Sequence, residues 1–89
     1  MPTRSVLIVN RLGLHARAAA KFVQTAGKFS CEIGLTKAGH RVNGKSIMGL
    51  MMLAAAQGAA LELSTSGPEE DLAMSELAAL IDSRFGESE

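Results

Sequence analysis

The feature that most constrains this chain is a stripe of alanines that begins just after a glycine-containing loop. Ala16, Ala19, Ala20, Val23 and Ala26 fall at i, i+3, i+4, i+7 and i+10, Lys21 and Gln24 lie off that stripe, and Gly27 supplies a stop. The period is that of an amphipathic helix, and a face built from side chains this small can lie close to a sheet. Bulk must then come from elsewhere. Of the 89 residues 47% are apolar, but 14 are Ala, none is Trp or Tyr and only three are Phe, so the core is expected to be Leu, Val, Ile and Met packed against small faces. A chain of this size predicts one small domain over residues 1–89, with a radius near ~12 Å.

The remaining elements follow from the pattern. Val6-Leu7-Ile8-Val9 reads as a strand with both faces partly covered, ended by Asn10-Arg11 and Gly13. Cys31, Ile33 and Leu35 alternate with polar or small residues, which predicts a strand with one wet face. Lys37-Ala38-Gly39 is a hairpin turn, and His40 to Asn43 a returning strand that offers Val42 to the core. Ser46 is a good N-cap for a short helix through Ile47–Leu53, which Gln57-Gly58 would end. Leu61 and Leu63 mark another strand. Ser66-Gly67-Pro68-Glu69-Glu70-Asp71 reads as a helix start with Pro in the first turn and three carboxylates at the positive end of the macrodipole. Met74, Leu77, Ala78, Ile81 and Phe85 would be its buried stripe, with a polar tail after Gly86. The order β-α-β-β-α-β-α predicts an α+β fold, an antiparallel sheet with helices on one face.

Several function classes are excluded. Nine Lys and Arg balance nine Asp and Glu, and aromatic content is 3%, which argues against a nucleic-acid surface. The single Cys31, with only His15 and His40 beside it, offers neither an internal disulfide nor a usual metal-ligand spacing. The apolar run near the N-terminus is too short for a signal peptide, and Ile47–Ala56 falls well under the ~20 residues that cross a bilayer. A cytoplasmic protein without membrane insertion is expected.

The chemistry concentrates in Gly13-Leu14-His15-Ala16-Arg17. His15 stands where the loop enters the alanine-striped helix. The first turn of a helix leaves backbone N–H groups without intrahelical partners, and the macrodipole adds positive potential. That potential disfavours a positive charge on the ring and favours an anion placed on it. The Ala16 amide and the Arg17 guanidinium are the donors to hand. The residues alone indicate an anion or phosphoryl site and nothing sharper.

That segment, followed by Ala19-Ala20-Lys21-Phe22-Val23, closely resembles the active-site region of the HPr family, the histidine-containing phosphocarriers of the bacterial phosphotransferase system. Val42-Asn43-Gly44-Lys45-Ser46-Ile47-Met48-Gly49-Leu50-Met51 resembles the family's regulatory-serine region, and the resemblance covers essentially the whole chain. It implies an open-faced β-sandwich of four antiparallel strands under three helices. It also implies that enzyme I phosphorylates His15 on Nδ1, that Arg17 steadies the phosphate, and that the group passes to a histidine of an enzyme IIA domain. Such a protein is a covalent carrier without a cofactor, expected as a monomer. Many members carry Pro where this chain has Ala18. Alanine is a good helix former with a free N–H, so the helix is expected to survive.

Ser46 has two readings, a plain N-cap or, by the resemblance, a regulatory phosphorylation site for HPr kinase/phosphorylase. If Leu50 and Leu53 face the sheet, so short a helix cannot also bury Ile47, Met48, Met51 and Met52. The resemblance makes Ile47, Met48 and Met51 a docking patch for enzyme I and enzyme IIA, with Lys45 and Ala20 beside it. Lys21, Lys28 and His40 are expected at the surface and Cys31 in the core. Two other functions fit the same residues: a nitrogen-related regulatory phosphocarrier, and a non-catalytic adaptor acting through the Ser46 face.

Overall fold

The computed structural model describes residues 2–89. Strands β1 (Thr3–Leu7), β2 (Glu32–Lys37), β3 (His40–Asn43) and β4 (Ala60–Ser66) form one sheet in the order β1-β4-β2-β3, with every neighbouring pair antiparallel. Helices α1 (Ala16–Ala26), α2 (Ile47–Met52) and α3 (Glu70–Asp82) share one core with it, and a 3₁₀ turn, Arg84–Gly86, follows α3. This is the predicted four-stranded antiparallel sheet with three helices, in the predicted order. The radius of gyration is 11.4 Å.

Register decides the two faces of the sheet. Val6 lies opposite Leu61, Leu35 opposite Leu63 and Ile33 opposite Thr65, and all six side chains are buried. Between them Gly34 pairs with Ser64 on the other face, where the Arg41 guanidinium lies across Gly34. A Cβ there would sit 2.4 Å from Arg41 Nε, so glycine makes room for the arginine. The β2–β3 hairpin turns through Ala38 and Gly39, both at positive φ, the geometry that matches the twist of flanking strands.

Several sequence expectations need correction. The first strand is Thr3–Leu7 rather than residues 6–9, and Leu7 is half exposed, so one of its faces is wet. The buried face of α1 is Ala18, Ala19, Phe22 and Ala26, whereas Ala16 is exposed and Ala20 and Val23 are half-buried. The stripe is rotated because Phe22 is the side chain with most area to bury, and it turns the helix toward itself. The small face brings α1 against α2, α3 and the 3₁₀ turn more than against the strands, as close helix packing favours. Helix α2 stops at Met52, with Leu53 as C-cap and Ala54 at positive φ, well before Gln57-Gly58. Pro68 precedes α3 rather than lying in its first turn, which holds Glu70 and Asp71. Glu70 reaches back to accept from the Gly67 N–H at 2.9 Å, which closes the helix start. Phe85 is fully buried, but beyond the end of α3 at φ 54 rather than on its helical stripe.

Among the described residues no helix is long and apolar enough to cross a membrane, and no three His, Cys, Asp or Glu side chains are grouped to hold a metal ion.

Candidate functional site

His15 is the N-cap of α1, with extended backbone (φ −80, ψ 179) and no side-chain cap bond. Its carbonyl accepts the first helical bond, from Ala19 N–H at 2.8 Å. The amides of Ala16, Arg17 and Ala18 precede that bond and have no acceptor within the helix. Ala18 is fully buried and the helix starts at Ala16 all the same, as expected for alanine at this place.

The loop before His15 is held from below. Gly13 has φ +70, and a Cβ on it would stand 2.6 Å from the Ala55 carbonyl oxygen, so no other residue fits without moving the backbone. Leu14 N–H donates to that same Ala55 carbonyl at 2.9 Å. Asn10, fully buried, closes the loop from within, accepting at its carbonyl from Gly13 N–H at 3.2 Å and donating from Nδ2 to the Gly13 carbonyl at 2.8 Å.

The ring of His15 meets a residue from the far end of the chain. Nε2 hydrogen-bonds Oε2 of Glu87 across 72 positions, and Oε1 of Glu87 accepts from Asn10 Nδ2 at 2.9 Å. The Asn10 amide and the His15 ring hold the Glu87 carboxyl below the usual carboxylate range, with smaller help from the charge of Lys21. A carboxylate can only accept, so the hydrogen of the neutral ring belongs on Nε2, and Nδ1 keeps its lone pair.

The tail after Gly86, expected to be only polar, is therefore part of the site. It gets there through three consecutive left-handed residues, Arg84 (φ 61), Phe85 (φ 54) and Gly86 (φ 80). Non-glycine residues in this region cost of order 1 kcal/mol or more each. The fully buried Phe85 side chain and the bond from Lys21 Nζ to the Phe85 carbonyl, 2.7 Å, offset that cost. Farther out, Arg11 pairs with Glu89 at 2.7 Å, an exposed contact that contributes little. Arg11, Leu12, His15, Arg17, Glu87 and Glu89 line an open cleft of about 640 Å³, with Arg17 exposed at its rim.

The second region singled out in the sequence lies on α2. Ser46 is its N-cap, and Oγ accepts from Gly49 N–H at 3.0 Å. Leu50 and Leu53 are buried, while Ile47 (42% exposed), Met48 (76%), Met51 (46%) and Met52 (72%) are all open, where exposure of some of the four was expected. Lys45 lies beside this group, half-buried, and its Nζ donates to the Phe29 carbonyl at 2.6 Å, which tethers the charge. Lys21 is likewise committed to the Phe85 carbonyl, while Lys28 and His40 are exposed and Cys31 is buried. Sequence reasoning missed Asn10 and Glu87. Nothing local to Glu87 could have found it, and the sequence shows at Asn10 only an asparagine after an apolar run, whose burial the fold alone reveals.

Comparison with known proteins agrees over the whole chain. The family model described as "PTS HPr component phosphorylation site" matches residues 2–83. The phosphocarrier protein HPr of Neisseria meningitidis serogroup A is 57% identical over 89 residues, covering 100% of both chains. That of Cupriavidus necator is 52% identical over the same length and coverage. Among solved structures, HPr-C-His from Thermoanaerobacter tengcongensis superimposes with a TM-score of 0.96 at 48% identity, covering 100% of each chain.

Proposed function

This chain belongs to the HPr family of phosphotransferase-system phosphocarriers, and from that premise we propose that His15 accepts a phosphoryl group at Nδ1 from phospho-enzyme I and passes it to a histidine of an enzyme IIA domain. The observation that carries this reading is the bond from His15 Nε2 to Glu87, which leaves Nδ1 as the nucleophilic atom.

The step is an in-line exchange. The Nδ1 lone pair forms a bond to phosphorus while the donor's P–N bond breaks, and that electron pair returns to the donor ring. Because Nε2 keeps its hydrogen, the His15 ring gains positive charge as the bond forms. Glu87 faces that charge, so its attraction grows toward the transition state. The phosphoryl oxygens would find the Ala16 amide and the Arg17 guanidinium. Transfer to the next histidine repeats the exchange in reverse, so the protein carries the group and completes no turnover alone.

The exposed Ile47, Met48 and Met51 are read as the docking patch, with Ala20 and the tethered Lys45 at its border. Methionine adapts its shape, which suits two partners that use one surface in turn. Phosphorylation of Ser46 by HPr kinase/phosphorylase would add about −2 charge beside that patch and hinder docking. The carrier is read as a cytoplasmic monomer, since serial transfer needs no second copy.

The test is phosphorylation by phosphoenolpyruvate and enzyme I, followed by intact mass and acid lability, with His15→Ala in parallel. An acid-labile phosphoryl group absent from the variant is the expected result. A variant still phosphorylated would overturn the assignment.

A further inference from the structure

We infer that Asn10 is a positioning residue that, through Glu87, selects the tautomer of His15. The inference rests on the reading of Nδ1 as the accepting atom, and it concerns a residue buried beneath the site.

Asn10 is fully buried and its amide has one workable orientation. Nδ2 spends its two hydrogens on the Gly13 carbonyl (2.8 Å) and on Glu87 Oε1 (2.9 Å). Turned over, its oxygen would face two acceptors. In the observed orientation both Nδ2 hydrogens meet acceptors, and Oδ1 has no hydrogen-bond partner among the described residues. Whatever atom stands at the Oε1 position of residue 87 must therefore accept. The other atom of that planar group faces His15 Nε2. With glutamate both atoms accept, the ring hydrogen sits on Nε2, and Nδ1 is open.

The consequence appears on changing Glu87→Gln, which preserves shape. Asn10 would claim the glutamine oxygen, the glutamine NH₂ would face Nε2, and Nε2 would have to accept. The ring hydrogen would move to Nδ1 and occupy the nucleophilic lone pair. An isosteric change is thus expected to do more harm than truncation to alanine, because alanine leaves the tautomer free while glutamine imposes the wrong one. Removing Asn10 as well lets the glutamine turn over and present its oxygen to Nε2.

The experiment uses the full unphosphorylated chain, labelled with ¹⁵N, at a pH where the ring is neutral. Long-range ¹H–¹⁵N correlations of His15 report which nitrogen carries the hydrogen. The expected result is an Nε2–H ring in the native chain, an Nδ1–H ring in Glu87→Gln, and a return toward Nε2–H in Asn10→Ala/Glu87→Gln. In parallel, acceptance from phospho-enzyme I should fall about a hundredfold or more in Glu87→Gln, as happens when a ring-orienting carboxylate is made an amide. Glu87→Ala should lose less, and the double variant should recover toward it. A Glu87→Gln ring that stays Nε2–H, or one that switches but is not rescued by removing Asn10, overturns the role of Asn10. A tautomer that switches and is rescued while transfer is unaffected supports Asn10 and instead overturns Nδ1 as the accepting atom. Glu87→Gln keeps the chain's shape and tests the imposed tautomer by itself; Asn10→Ser/Glu87→Gln, which keeps a polar side chain at the buried position, gives the rescue a second variant.

Discussion

Helices α1 and α2 both begin at an extended N-cap residue whose side chain is polar, yet the two caps do opposite things. At α2, Ser46 Oγ accepts from its own helix at Gly49 N–H, and the cap is complete within four residues. At α1, His15 makes no such bond, and its ring is taken by Glu87 from the far end of the chain. The amides that a serine would satisfy are left without a side-chain acceptor from the cap. A cap that spends its side chain locally stabilises a helix, whereas one that keeps it for a distant partner leaves the helix end open for chemistry.

The largest expected effect breaks the comparison at its root. His15→Ala should abolish phosphoryl acceptance while moving Tm by no more than a few degrees, since it removes a part-buried bond to Glu87 but no helix cap; intact mass and thermal melting on one sample check both. Next, Arg17→Ala should slow acceptance by roughly ten- to a hundredfold, the usual range for a charge-assisted contact to phosphate, measured as the rate of transfer from enzyme I. The α2 cap should behave the other way round. Ser46→Ala is expected to cost about 1 kcal/mol and lower Tm by about 4–8 °C while acceptance at His15 persists. Ser46→Asp retains an acceptor for Gly49 N–H, so stability should stay near native while its charge slows transfer from enzyme I; unchanged kinetics would deny that face a regulatory role.

The smallest effect concerns acid. Bonds from Asn10 and His15 lower the folded-state pKa of Glu87, so the stability it contributes is fully present above the ordinary carboxylate pKa, about 4.3, and is lost as pH falls through the lowered value. Melting curves of native chain and Glu87→Ala should therefore differ most near neutrality and converge in acid. Curves separated by a constant gap down to pH 3 would mean that the carboxylate charge contributes nothing there.

Much of this was legible in the sequence, because much of it is local. Period fixes a helix over Ala16–Ala26 and alternation a strand at Ile33 and Leu35, since both are read from neighbours one to four residues apart. Ser46 as an N-cap, the Ala38-Gly39 turn and the exposure of the α2 methionines follow from the same short-range rules. His15 and Arg17 could be singled out because strand, glycine loop and helix place them at a helix entrance whatever the rest of the chain does. Tertiary structure alone decided the remainder. Phe22 turned α1 away from the face its alanines suggested, because burial of the largest side chain outweighs a stripe of small ones. Phe85, buried against the other helices, draws the chain through three left-handed residues and returns Glu87 to the ring of His15. Periodicity contains no information about which residue meets which across 72 positions; that is settled when the core closes and brings Glu87 to Nε2 of His15.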